Sequence, residues 1–390
     1  MEVAEEKGKG SPVVVYLHGM TYRYDLWFRI QVTKDDDKLT RKKIPPIAKL
    51  RRSIYGMGGR WTVIGSNIYY AGGYLTDRSK IIPRKELIKH NTMMTQDAVD
   101  SWETESSLNL SRRSPVVAAV GKTKICVLGG ENRSPDSYKK RLRVEDEEQS
   151  DGYLLRNKGG EIYDIDGKCW NYVDTDLKYF TPYNTLRNVA VVVEKEQEQT
   201  SQIVFYSLIK GSIMLFDATT GKISMNETFK EFVLWNRRLD TSPPLGLGSD
   251  TEYHFLHRAT MNVPAVFTND TFYWFTLDMY LYAYDVKASR WFKSQCLLNQ
   301  LLDLYPKLVH NDELPFVPIL VGLPQDGKFV VFIPRENNNR TELIMACLKV
   351  EMKPPCLNVL MEFVQHLYFA EEIRLLESLI FYDGKAIVEG

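Results

Sequence analysis

The sequence predicts an all-β protein assembled from one recurring antiparallel unit. Two patterns carry that prediction: a duplicated strand–turn–strand block ending in paired glycines, and a spaced aromatic-Asp pair followed by tryptophan. The first block is RWTVIGSNIYYAGG, with Gly65 at the turn and Gly72-Gly73 at the end. The second is VVAAVGKTKICVLGG (116–130), with Gly121 at the turn and Gly129-Gly130 at the end. Its Gly121-Lys122-Thr123 spells the end of a phosphate-binding loop. Such a loop needs glycine at position 116, where Val116 stands, and a helix after the threonine. KICVLGG is β-branched and apolar instead, so the segment reads as a hairpin.

After each glycine pair comes a polar stretch, then a strand and a tryptophan: Trp102 in AVDSWET and Trp170 in EIYDIDGKCWNYV. Degenerate aromatic-Asp copies follow at Phe216-Asp217 and Tyr284-Asp285, the second leading to Trp291. Repeats near fifty residues point to the blades of a β-propeller, each a four-stranded antiparallel sheet. The order of apolar run, Gly-Gly, Tyr-Asp and Trp resembles the kelch repeat. That resemblance is strong over 61–115 and 116–187 and weak over 188–240, 316–365 and the chain ends. It extends to kelch-like proteins abundant in plants. Strand-like VVVY at Val13 leaves no room for the F-box that some of those carry, so none is expected.

Counting units gives six blades: 61–115, 116–187, 188–240, 263–310, 316–365, and one split between 372–390 and 12–32. Pairing the two chain ends inside one sheet would close the ring and remove exposed edges. The expected organisation is therefore a tail over 1–11 and a single six-bladed kelch-type propeller over 12–390. The glycine pairs are expected at crowded positions near the axis, and the tryptophans between blades. Residues 34–52 and 239–257 read as inter-blade connectors, and 133–160 as a long polar loop. The helical spacing in QCLLNQLLDLYPK (295–307) predicts one short helix.

Composition bounds the function. Lys plus Arg and Asp plus Glu are each 50, so the formal net charge is zero. That makes nucleic acid an unexpected partner. No stretch has the length and apolarity of a membrane span, and the acidic start lacks the character of a secretory leader. The five cysteines show no paired spacing and read as buried, reduced thiols of a cytosolic or nuclear protein. KLTRKKIPPIAKLRR reads as a solvated linker, with nuclear import as its other reading.

In a propeller, residues just ahead of each innermost strand converge on one mouth. Here those positions are rich in arginine: Arg51-Arg52, Arg112-Arg113, Arg187 and Arg258. The candidate partner-binding set is Arg52, Arg113, Tyr183, Asn184, Arg187 and Arg258. Guanidinium groups in such a setting read carboxylates and acidic peptides; the competing role is structural, bonding to backbone carbonyls. His254 and His257 are the only neighbouring histidines, short of the three converging ligands a metal needs. No GxSxG elbow is present. Neither a catalytic residue nor a cofactor is expected. The resemblance implies a protein-interaction module, an adaptor or substrate receptor that presents loops to a protein or acidic peptide as a monomer. The alternative is a small-molecule or metal-binding enzyme with its site in the axial channel.

Overall fold

A computed structural model of the chain describes residues 13–130, 159–173, 190–226, 266–304, 318–369 and 387–388, apart from short gaps at 22, 33–41, 57, 78–79, 94–100, 114, 196–199, 208–211, 276–278, 289, 324–326, 338–339 and 354–355. The described chain is all-β, with two short helices, Arg52–Tyr55 and Leu298–Leu304. The second helix falls inside the segment whose spacing predicts one.

Five sheets are four-stranded and antiparallel, the blade form expected from the repeat. The second blade runs Arg60–Ile64, Asn67–Ala71, Glu86–Asn91 and Glu103–Ser107. The third runs Val116–Val120, Lys124–Leu128, Gly160–Asp164 and Cys169–Val173. GKT is a hairpin turn: Val120 pairs with Lys124 across it, and Gly121 takes φ +63°. The fourth blade spans Ala190–Asn226, and the fifth spans Val266–Lys293. The first blade joins both ends of the chain, with Val13 opposite Val388 and Val14 opposite Ile387. The expected tail (1–11), the connector at 239–257 and residues 133–158 of the predicted loop lie outside the described residues, as does the C-terminal segment before Ile387; the loop's predicted end at residue 160 is corrected, because Gly160 already begins a strand.

The expectation of six four-stranded blades is corrected to five. Residues Ile319–Phe369 supply four strands of a five-stranded sheet. Its last strand continues past the predicted limit to Phe369, where Lys42–Ile44 joins it in parallel. The supposed linker at 34–52 thus supplies two strands, because Pro46–Arg51 is the outer strand of the first blade. The burial alternation BiBiBe of PIAKLR explains the second: its basic residues fall on alternate positions while Ala48 and Leu50 are buried. Pro46 begins an edge strand, where its missing N–H costs no ladder bond.

Sheet-on-sheet packing makes the arrangement propeller-like. One apolar cluster joins the first blade to the second through Tyr16, Trp27, Leu50, Trp61 and Tyr70. Another joins the second to the third through Tyr69, Leu87, Val117 and Tyr163. Ile203 and Phe216 of the fourth pack on Val116 and Leu128 of the third, and Phe275 and Leu281 of the fifth pack on Phe329 and Ile344. The five-stranded sheet in turn packs Val330 and Met345 against Leu17 and Phe28 of the first blade. Trp102 and Trp170 tie neighbours together, as the repeat predicts. Trp102 Nε1 donates to the Lys49 carbonyl at 2.7 Å, and Trp170 Nε1 donates to Ser106 Oγ at 2.9 Å.

The glycine pairs make close backbone approaches where a side chain would not fit. Gly72 and Gly73 have φ of +70° and +97°, and a Cβ on Gly72 would lie 2.5 Å from the Arg112 carbonyl oxygen. A Cβ on Gly130, with φ +86°, would lie 2.9 Å from the Arg113 carbonyl oxygen. Both pairs therefore grip the segment that leads into the third blade. Gly72→Ala is expected to cost about 1–3 kcal/mol from its backbone conformation alone, and the backbone clash adds to that. At Gly121, φ is also positive but a Cβ would meet nothing within 4 Å. Denaturant midpoints should fall further for Gly72→Ala than for Gly121→Ala; equal losses would refute the close approach.

Glu105 seals the boundary between the second and third blades. It accepts from the Tyr163 hydroxyl at 3.0 Å and sits 2.7 Å from Lys89 Nζ, with its side chain 6% exposed. Burial works to raise its pKa, but the hydrogen bonds from Lys89 and Tyr163 outweigh it and hold the carboxyl below its usual value. A lowered folded-state pKa means the stabilisation is complete above the unfolded value, about 4.3, and is lost as pH falls through the folded value. Unfolding free energy should therefore drop as pH falls below about 4, and Glu105→Gln should flatten part of that drop. Parallel pH curves for the two proteins would exclude Glu105 as a contributor.

The expectation of five buried cysteines needs correction. All five cysteines are free, but only Cys126 and Cys347 are buried, while Cys169 and Cys356 are exposed. Cys169 falls on an outward position of an outer strand whose burial pattern is eieeB, so the strand supplies no cover. Burial raises the Cys126 thiol, and burial with the nearby Glu362 carboxylate raises that of Cys347 to about 12. Both are inert as nucleophiles.

Candidate functional site

Strand parity places the site. In a four-stranded up-and-down sheet, the turn between the second and third strands shares a face with the connection to the next blade. In the first blade those pieces are Thr21–Arg23 and Arg52–Gly59. In the second they are the segment after Ala71, which forms a two-stranded ribbon of Tyr74–Asp77 and Lys80–Pro83, and the connection carrying Arg112 and Arg113. Where these pieces meet there is a cavity of about 730 Å³, bordered by Arg23, Tyr24, Arg51, Arg52 and Tyr74 among others.

Arg52 is fixed from below. Its Nε and Nη2 both donate to Asp25 Oδ1, at 3.1 and 3.0 Å. Asp25 is 2% exposed. His18 Nε2 lies 3.5 Å from the same oxygen, with its ring beside Trp27 and Trp61 at centroid distances of 4.8 and 5.9 Å. Beneath the pocket, Tyr70 donates no proton to solvent: burial first, and then the Asp25 charge, push its phenol well above the usual value, and its oxygen accepts from the Gly59 N–H at 3.0 Å. Arg51 is exposed, with its guanidinium 6.0 Å from the Tyr24 ring centroid. Arg113 stacks over Tyr74 at 4.6 Å. Cation–π contacts of this kind orient a guanidinium without neutralising it.

Of the residues singled out from sequence, Arg52 lines the cavity and Arg113 touches one of its walls. Arg187, Arg258, Tyr183 and Asn184 lie outside the described residues, as do His254 and His257. Arg112 takes the structural role that competes with binding: it is 3% exposed and turned inward. It donates to Glu161 Oε1 from Nε and Nη2, at 3.2 and 3.1 Å, and to the Gly129 carbonyl from Nη1 at 2.6 Å. Sequence reasoning missed Arg23, Tyr24 and Tyr74. Strand parity could have found them, because TYRYD sits between two strand-like runs at the turn that shares the mouth's face.

The pocket can bind and orient an anion against tyrosine walls. Among the described residues no group of three His, Cys, Asp or Glu side chains could hold a metal ion. No helix among them is long and apolar enough to cross a membrane.

Fold and site define the class: an all-β protein of propeller-like sheets with an arginine- and tyrosine-bordered cavity between its first two blades. No family model matches the chain, and no curated protein matches it. Among solved structures it is similar to a novel fungal alcohol oxidase with catalytic diversity among the AA5 family, in complex with copper. The identity is 10%, the match covers 89% of this chain and 50% of that one, and the TM-score is 0.29. This chain spans about half the length of that structure, and a likeness at this score carries no argument about activity.

Proposed function

We propose that the chain is a kelch-type β-propeller, closed through the Val13–Val14 and Ile387–Val388 pairing, that works as a non-enzymatic protein-interaction scaffold. Its partner is a protein or acidic peptide bound by loops at one face, in the manner of an adaptor or substrate receptor in the cytosol or nucleus. The observation that carries the reading is the cavity itself: three arginines and two tyrosines gathered there from separate elements, the ends of two strands of the first blade, the short helix and the ribbon of the second. Loops pinned by the Arg52–Asp25 pair and the glycine contacts lose little entropy on binding.

Affinity purification tests this with the intact chain against an Arg52/Arg113/Arg187/Arg258→Ala variant. The variant is expected to lose partners that the intact chain recovers; equal recovery would overturn the reading. Because Arg52→Ala leaves Asp25 buried without its cation, an Arg23→Gln/Arg51→Gln variant at exposed positions serves as the second arm.

A further inference from the structure

We propose that the cavity between the first two blades selects a phosphomonoester on the partner segment, with an apolar side chain beside it. This rests on the interaction-module reading and names the chemistry its pocket prefers. Charge balance leads to it. Arg23, Arg51 and Arg52 border one cavity, and among the described residues Arg52 alone of the three has a carboxylate partner, Asp25. Two positive charges are left over. A phosphorylated side chain carries about −1.5 to −2 at pH 7 with three acceptor oxygens, whereas one carboxylate would match half of that. Guanidinium forks suit phosphate oxygens in geometry as well as charge. Ser53 and Thr76, also on the cavity wall, add hydroxyl donors.

The apolar half of the specificity comes from the ribbon and the short helix. Leu75 lines the cavity, and Ile82 stands directly opposite it in the ribbon, so the two side chains share a face. Ile82 is 47% exposed, and Ile54, on the helix that carries Arg52 and Ser53, is 50% exposed. Two of the seven exposed large apolar residues among those described thus fall on the elements bordering this cavity. An isolated exposed isoleucine needs no explanation; two flanking an arginine pocket match a residue next to a phosphate.

Fluorescence anisotropy on the full chain tests this with three labelled peptide sets. One carries phosphoserine, phosphothreonine or phosphotyrosine flanked either by leucine or by glycine; the second has Asp or Glu in place of the phosphoresidue; the third is unmodified. Phosphopeptides are expected to bind at least about tenfold more tightly than the carboxylate set. Arg23→Gln and Arg51→Gln should each weaken them by about 10–100-fold, the range of a charge-assisted hydrogen bond. Leu75→Ser should weaken leucine-flanked phosphopeptides and spare glycine-flanked ones. Equal, arginine-dependent binding of the carboxylate peptides would overturn the phosphate preference and leave the acidic-peptide module standing. Phosphopeptide binding indifferent to both arginines would overturn the site. Competition by inorganic phosphate as effective as by phosphopeptide would reduce it to a small-anion site and overturn the peptide assignment. If neither charged set binds, both readings fall.

Discussion

Replacing Arg112 with alanine is expected to destabilise the fold by about 3–5 kcal/mol, because it leaves a carboxylate buried without its cation. Glu161 is fully buried and, among the described residues, would keep only the Asn109 and Leu110 backbone N–H donors, at 2.7 and 3.2 Å. The Gly129 carbonyl would lose its 2.6 Å donor as well. Against a typical domain stability of about 5–15 kcal/mol, that is a large fraction. The pair also anchors the connection that carries Arg113, so the variant should bind partners less well even where it stays folded. Chemical denaturation of Arg112→Met, Glu161→Leu and the double variant gives the coupling directly. The double variant should lose clearly less than the sum of the singles. Additive losses would mean that the two side chains do not act as a unit.

The second large effect is expected at Trp27, where truncation to alanine should cost about 3–5 kcal/mol. The side chain has no exposed surface and is central to the seam between the first two blades. It meets Trp102 at 5.0 Å between ring centroids, and both Trp61 and Tyr70 edge-on at 6.1 Å. Its indole N–H has no hydrogen-bond partner among the described residues. Trp27→Phe should therefore lose packing alone and fall well short of the alanine loss. Because this seam lies under the cavity, Trp27→Ala should also weaken binding in the anisotropy assay. A midpoint unchanged from the parent protein would show that the blades do not depend on this contact.

Repetition made much of the fold readable without coordinates. Val116–Leu128 reads as a hairpin because its apolar and β-branched residues run up to Gly121 and resume after it. Trp102 and Trp170 read as inter-blade contacts because they recur at the same place in the unit. The limits of that method are equally physical. KKI at 42–44 has no hydrophobic pattern of its own, and its pairing partner lies more than three hundred residues away at Leu367–Phe369. A strand whose existence depends on a distant open edge leaves no local trace. The blade count was missed there for that reason.

The chain by itself settled the class of structure, the position of the turns, and that arginines cluster ahead of the inner strands. Tertiary structure decided which arginine is which. Arg112 and Arg113 are neighbours of identical chemistry, yet one is buried on Glu161 and the other stacks on Tyr74 beside the cavity. Successive residues of an extended segment point to opposite sides, and only the packed surroundings determine which side holds a buried carboxylate and which meets solvent. The same holds for Arg23 and Tyr24: their place in the site comes from two blades meeting, a relation that local sequence does not encode.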